Sequence, residues 1–179
     1  MSTYHHGDLR SALLHGAGKA LEKRGVASLS LRDAARRAGV SHNAPYRHFA
    51  DRDALLAALA AEGFGMLGEA LRAKSGRALG EAYVRFALEH PQRFRLMFGG
   101  VLPMARYPEL RESAGRAYQA LADSLRELPD PALAAAAAWS LVHGLAQLLV
   151  DGHFPSQDAN REAFVARVLG AVRFAQRAA

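Results

Sequence analysis

Cysteine is missing altogether from this chain of 179 residues, so no disulfide framework and no thiolate metal site can be built. Valine and isoleucine are sparse while alanine and leucine dominate, which disfavours sheet and favours helix. No apolar run reads as reaching the roughly 18 residues that a membrane span needs. The start, Met1 to Arg10, is polar and lacks the apolar centre of a secretory leader. The expected location is therefore the cytoplasm, with no membrane partner. No nucleophile motif and no paired-carboxylate site can be found, and His90, His143 and His153 fall on separate predicted segments without i, i+4 ligand pairs. No catalytic residue, no metal and no cofactor is expected, and an enzyme is the weak rival class.

What is present is apolar mass and positive charge. Half of the residues are hydrophobic, and the formal charge is +6. The charge is concentrated: residues 1–53 hold nine Lys/Arg against five Asp/Glu, and five of the eight histidines. A basic, histidine-rich head fits an anionic partner.

Proline and glycine divide the chain into helical segments. Asp8 opens a first helix to Arg24, with Leu9, Ala12, Leu13, Ala17, Ala20 and Leu21 at helical spacing and Gly25 as its stop. Ser30 can cap a second over Leu31–Ala38, with Asp33 in a near capping box. Ser41 can cap a third, short helix through His48, and Asp51 a fourth that continues to about Ala73. Further helices are expected from Ser75 to Glu89, Pro91 to Phe98, Pro108 to Leu128, Pro131 to Val150, and about Asp158 towards the C-terminus. The reading is all-α, about nine helices, with nothing that alternates as a strand.

The second and third helices are the informative pair. Two short helices joined across Gly39-Val40-Ser41 describe a helix-turn-helix. Gly39 can take a positive φ to leave one helix tightly, and Val40 can plug the angle. Ala34, Ala35 and Ala38 keep the crossing thin, while Leu31 and Phe49 can anchor the pair on the first helix. The stretch from Leu29 to Leu56, L-S-L-R-D-A-A-R-R-A-G-V-S-H-N-A-P-Y-R-H-F-A-D-R-D-A-L-L, closely resembles the DNA-binding head of TetR-family regulators. Its specific parts are the Gly39-Val40-Ser41 turn, the Tyr46-x-His48-Phe49 ending and the Asp/Arg-rich entry to Leu55. Farther on, Trp139-Ser-Leu-Val-His143-Gly144 resembles the Trp…His-Gly (WHG) element of one C-terminal subgroup of that family.

The resemblance implies a recognition helix with His42, Asn43 and Ala44 nearest the base edges. Asn43 would pair with an adenine and Ala44 would touch a thymine methyl. Ser41 would cap that helix. Tyr46, Arg47, His48 and Arg52 would hold phosphates, as would Ser30 and the amides it opens. His5, His6 and Arg10 would reach the backbone or minor groove. Pro45 departs from the family pattern by removing an amide donor from this helix. The resemblance also implies a homodimer whose two heads meet successive major grooves about 34–36 Å apart, and a small molecule in the body that changes that spacing. DNA binding then belongs to residues 1–54, and dimerisation and ligand binding to residues 55–179.

Other features divide between function and packing. Gly63-Phe-Gly65-Met-Leu-Gly68 spells G-x-G-x-x-G, but without a preceding strand it reads as glycines thinning a helix face. Phe64, Leu67, Phe86, Met97, Phe98, Trp139 and His143 are the pocket residues for an apolar ligand. Trp139 and His143, spaced i, i+4, either line that pocket or belong to the core. The stripe of Leu141, Leu145, Leu148 and Leu149, and that of Phe164, Val168, Leu169, Val172 and Phe174, favour a four-helix dimer interface over burial inside one chain. The function expected is ligand-relieved repression. The alternative is a helical sensor or interaction protein that no longer reads DNA.

Overall fold

The computed structural model describes residues 6–154 and 160–172. Eight α-helices make up most of them: α1 (His6–Arg24), α2 (Leu31–Arg37), α3 (Arg52–Leu71), α4 (Gly76–Glu89), α5 (Pro91–Phe98), α6 (Pro108–Asp123), α7 (Pro131–Val150) and α8 (Arg161–Ala171). Three short 3-10 turns, Val26–Ser28, Ala44–Arg47 and Met104–Arg106, complete the elements, and no strand occurs among the described residues. The expected nine helices become eight because the segment after Ser41 forms a 3-10 turn. The readings on His5, the His6 side chain, Asp158 and Phe174 fall outside the described residues and side chains.

The chain forms two compact units. One comprises the residues up to Phe64 together with His90–Ser113. The other comprises Gly65–Glu89 together with the residues from Ala114 onward. The boundary expected at residue 54 falls inside α3, within the first unit.

In the first unit, α1 buries Leu13, Leu14, Ala17, Ala20 and Leu21 and exposes His15, Lys19 and Lys23, the one-sided pattern its spacing predicts. Leu55, Leu56, Leu59, Phe94 and Leu96 are likewise buried. Each large apolar side chain so placed contributes about 1.5–3 kcal/mol of transfer free energy. One charge joins this core: Arg93 is only 8% exposed. Its Nη1 donates to the Leu59 carbonyl at 2.9 Å, and Glu62 lies 3.6 Å away. The Glu22 carboxylate accepts from the backbone N–H of Gln92 and of Arg93, both at 3.1 Å, so α1 caps the start of α5.

Gly63 belongs to this packing. A Cβ there would lie 2.6 Å from the Met97 sulfur and 3.0 Å from Arg93 Cγ, so only a bare α3 lets α5 approach so closely. Gly63 to Gly68 all lie inside α3, which has no strand before it. The thinned-face reading of the glycine motif thus holds at Gly63, whereas a Cβ on Gly65 would meet nothing within 4 Å.

In the second unit, α4 buries Leu79, Tyr83, Val84 and Phe86 and packs on α7 and α8. The side chain of Asp130 caps α7 by accepting from Leu133 N at 3.1 Å, and Pro131 sits in the first turn. The expectation of no membrane-length apolar run is corrected here. Both α3 and α7 are 20 residues long and apolar enough by length and composition to cross a membrane. The apolar window of α3 is 61% buried and that of α7 only 28%. Leu133 and Leu148 of α7 are 66% and 42% exposed.

Candidate nucleic-acid interface

The site begins at Ser30. Its Oγ accepts from Asp33 N at 3.1 Å and starts α2, as the sequence predicts. The reciprocal half of the capping box does not form. The Asp33 carboxylate instead collects three guanidinium groups: Arg24 and Arg37 at 2.7 Å, and Arg36. The hydrogen bond from Arg37 is the largest cause that holds the Asp33 pKa down, from 3.8 to about 2. Burial opposes it, and Arg36 and Arg24 add to the lowering.

Gly39 then ends α2 at φ 68. Its N–H reaches the Arg36 carbonyl and the Val40 N–H that of Ala35, the pattern of a left-handed glycine stop. Ala34 and Ala35 are buried, as the close crossing requires.

Beyond the turn the structure departs from the expected helix. Ser41 offers its carbonyl to Ala44 N at 3.0 Å, and Asn43 stands at the N-cap of the 3-10 turn without a side-chain cap bond. The third helix is therefore the turn Ala44–Arg47, and Ser41 is not its side-chain cap. Pro45 is the cause: with no N–H to give, it cannot bond the carbonyl four residues back, and the chain winds tightly instead. Tyr46 N reaches Asn43 at 3.3 Å, and both His48 N and Phe49 N reach Pro45 at 2.9 Å.

Burial sorts the segment. Pro45 and Phe49 point inward and anchor it. Ser41, His42, Asn43, Tyr46 and Arg47 are exposed, Tyr46 by 52%, and Ala44 is half-buried. Of the predicted base-reading residues, His42 and Asn43 are thus exposed, as are Tyr46 and Arg47.

Two of the predicted contacts, Arg52 and Arg10, make structural contacts as well. Arg52 donates from Nε to the Leu29 carbonyl at 2.8 Å and from Nη2 to the Val26 carbonyl at 2.7 Å, which ties the α1–α2 connection to the start of α3. His48 Nε2 is buried without a hydrogen-bond partner. Arg10 lies over the Phe49 ring at 5.7 Å and pairs with Glu109 at 3.2 Å. Sequence reasoning passed over Arg32, an exposed cation in the first turn of α2 beside Ser30. Its position after a helix-capping serine was the available signal.

The seven expected pocket residues fall in both units. Phe64, Met97 and Phe98 belong to the first, where Phe98 meets Phe64 edge-on at 5.2 Å and Phe94 at 4.9 Å. Leu67, Phe86, Trp139 and His143 belong to the second. There three side chains form a polar thread: Trp139 Nε1 donates to the Tyr83 hydroxyl at 3.3 Å, and that hydroxyl lies 3.0 Å from His143 Nδ1. The tyrosine oxygen accepts from the indole, so its own proton can be given to a neutral imidazole. Burial lowers the His143 pKa and raises that of Tyr83 well above its ordinary value, both favouring the uncharged forms. Tyr118 stacks edge-on against Trp139 at 5.4 Å. Two clefts of the second unit lie elsewhere. One of about 640 Å³ runs between α4 and α8, and an apolar one of about 300 Å³ is lined by Leu79, Leu121, Leu141 and Val172 among others. None of the seven residues lines either cleft. Among the described residues no group of acidic or histidine side chains could hold a metal ion.

Comparison with known proteins gives two family matches. Residues 13–59 match the model for bacterial regulatory proteins of the tetR family, and residues 77–172 match the tetracyclin repressor-like C-terminal domain. Among solved structures, a Rhodococcus sp. RHA1 protein of unknown function is 37% identical, with a TM-score of 0.78 over 96% of this chain and 94% of that one. A Mesorhizobium loti structure described as a TetR-family transcriptional regulator shares the fold at 16% identity and a TM-score of 0.69, covering 94% of this chain and 96% of its own. The multidrug binding protein EbrR, solved with imidazole, does so at 23% identity and 0.64, covering 96% and 93%. No curated protein matches the sequence.

Proposed function

The chain belongs to the TetR family of bacterial regulatory proteins, and from that membership we propose that it is a DNA-binding repressor released by a small apolar molecule. The observation that carries the DNA-binding part is the outward segment from Ser41 to Arg47, held by the buried Pro45 and Phe49. In this reading His42, Asn43 and Ala44 face base edges, while Ser30, Ser41, Tyr46, Arg47 and the exposed Arg32 meet phosphates. Arg52 acts mainly by holding the α1–α2 connection in place.

Ligand sensing is assigned to the second unit, around Trp139 and His143 with Leu67 and Phe86. The Trp139…His143-Gly144 element supports placing the chain in the WHG subgroup. The uncharged Tyr83–His143 pair suits an uncharged or weakly polar guest. Release follows only from the difference in ligand affinity between the DNA-bound and free forms. The exposed apolar face of α7 is assigned to a second copy of the chain rather than to lipid. Ala137, Ser140 and Gly144 are small residues near Leu133 and Leu148 on that helix face, and a Cβ on Gly144 would meet nothing within 4 Å, which leaves room for a close partner helix. The assigned compartment is the cytoplasm, and the role includes no enzymatic turnover.

The test is an anisotropy titration against duplexes selected from a random library, repeated over a salt series. Log affinity should fall linearly with log salt, by about 0.9 per phosphate neutralised. Tyr46→Ala should weaken binding to all sequences, whereas Asn43→Ala should relax the preference at one base position by about 1–3 kcal/mol. Equal loss on every sequence for Asn43→Ala refutes its base-reading role, and a wild type that binds no duplex refutes the regulator reading.

A further inference from the structure

Arg93 has a role that the reading surface alone does not assign. It is nearly buried, far in sequence from the α1–α2 head, and its guanidinium reaches into the place where α1, α3 and α5 meet. Space for it exists because two residues lack side chains. A Cβ on Gly18 of α1 would lie 2.6 Å from Arg93 Nη2, and one on Gly63 of α3 would lie 3.1 Å from Arg93 Cδ. The guanidinium bonds the Leu59 carbonyl of α3, while the Arg93 and Gln92 amides bond the Glu22 carboxylate of α1. His90, at the N-cap of α5, provides no side-chain cap, so Glu22 supplies the cap from another helix.

We propose that Glu22 and Arg93 form a clasp that positions α1, and with it the DNA-reading segment, and that both are positioning residues for DNA recognition. The proposal rests on the DNA-binding reading above. The reading segment packs on α2, and α2 is tied to α1 by the Arg24–Asp33 pair and by direct packing, while Arg52 holds the α1–α2 connection to the start of α3. The clasp grips the same α1 through Gly18 and Glu22. Stability and positioning are separate properties of this arginine: deleting its charge alone leaves the Leu59 carbonyl and Glu62 without it, which costs stability, whereas the position of α1 is read in duplex affinity. The guanidinium bond to the Leu59 carbonyl fixes α5 on α3, and the Glu22 carboxylate on the Gln92 and Arg93 amides fixes α1 on α5, so the two together set the register of three helices.

The experiment uses the full chain and compares wild type, R93M, R93K and E22Q for thermal unfolding and for affinity to the selected duplex at one salt concentration. Affinity is measured where circular dichroism shows every protein fully folded. The expected result is a duplex affinity lower by about tenfold for R93M at a temperature where it is fully folded, whatever the change in its melting temperature. E22Q should lose affinity in the same direction by a smaller factor, and R93K should fall between R93M and wild type. A purely structural role would move the melting temperature and leave affinity alone. A folded R93M that binds within twofold of wild type overturns the clasp while leaving the regulator reading intact. If R93M does not fold, E22Q decides: lost affinity supports the clasp and unchanged affinity overturns it. A wild type that binds no duplex overturns the regulator reading and the clasp together.

Discussion

Asp33 shows how a single side chain can serve the head through its charge. Three guanidinium groups surround a carboxylate that is 11% exposed, and its pKa falls to about 2. A carboxylate whose folded pKa lies below its unfolded value adds stability that is complete above the unfolded value and is lost as pH drops through the folded one. For Asp33 the window runs from pH 3.8 down to about 2. The wild type should therefore lose stability across this interval more steeply than Asp33→Asn, whose curve should be flatter there and lower at neutral pH. Urea midpoints measured from pH 5 to pH 2 check this, and parallel curves for the two proteins would remove Asp33 from the account. The same substitution frees Arg24 from its tie to α2, so a drop in duplex affinity at neutral pH should accompany it.

Helix ends follow from backbone geometry, and two of them make opposite predictions. Gly39 and Ala73 both take left-handed φ values, 68 and 56, at the ends of α2 and α3. An L-residue in that region costs roughly 1–2 kcal/mol, and glycine avoids most of the cost. Ala73→Gly should thus stabilise the protein by about 1 kcal/mol, and Gly39→Ala should destabilise it by about the same amount. Since a Cβ on Gly39 would meet nothing within 4 Å, any loss there is conformational rather than steric. Denaturant titration distinguishes the two signs, and a destabilised Ala73→Gly would contradict the reasoning. The elements that proline and glycine punctuate were legible in the sequence: α5 and α7 have the expected bounds, and α2 ends one residue short at Arg37. Where local chemistry competes with the helix, the sequence misled. α6 stops at Asp123 instead of Leu128, where the Ser124 hydroxyl takes the Leu121 carbonyl at 2.7 Å and the chain continues as turns. Pro45 converted a predicted helix into a 3-10 turn while leaving the expected residues exposed. The Glu22–Arg93 clasp was not legible, because its partners stand 71 residues apart and no periodicity links them.

At the scale of the whole molecule, oligomeric state and DNA affinity should be one property. The apolar face of α7 leaves Leu133 and Leu148 in solvent, and neither is needed inside one chain. Leu148→Glu should accordingly keep the monomer folded while placing a charge on the surface proposed above for a second copy. Two heads that engage one duplex neutralise about twice the phosphates of a single head, so the salt dependence carries a count of heads. The variant should sediment as a monomer, retain the helical signal of the wild type, and show about half the wild-type slope of log affinity against log salt. Its absolute affinity should fall further than the slope alone implies, because the second head no longer binds as an intramolecular event. A monomeric Leu148→Glu with the full wild-type slope would mean that one chain meets all the phosphates, and the assignment of the α7 face to a partner would then have no bearing on DNA recognition.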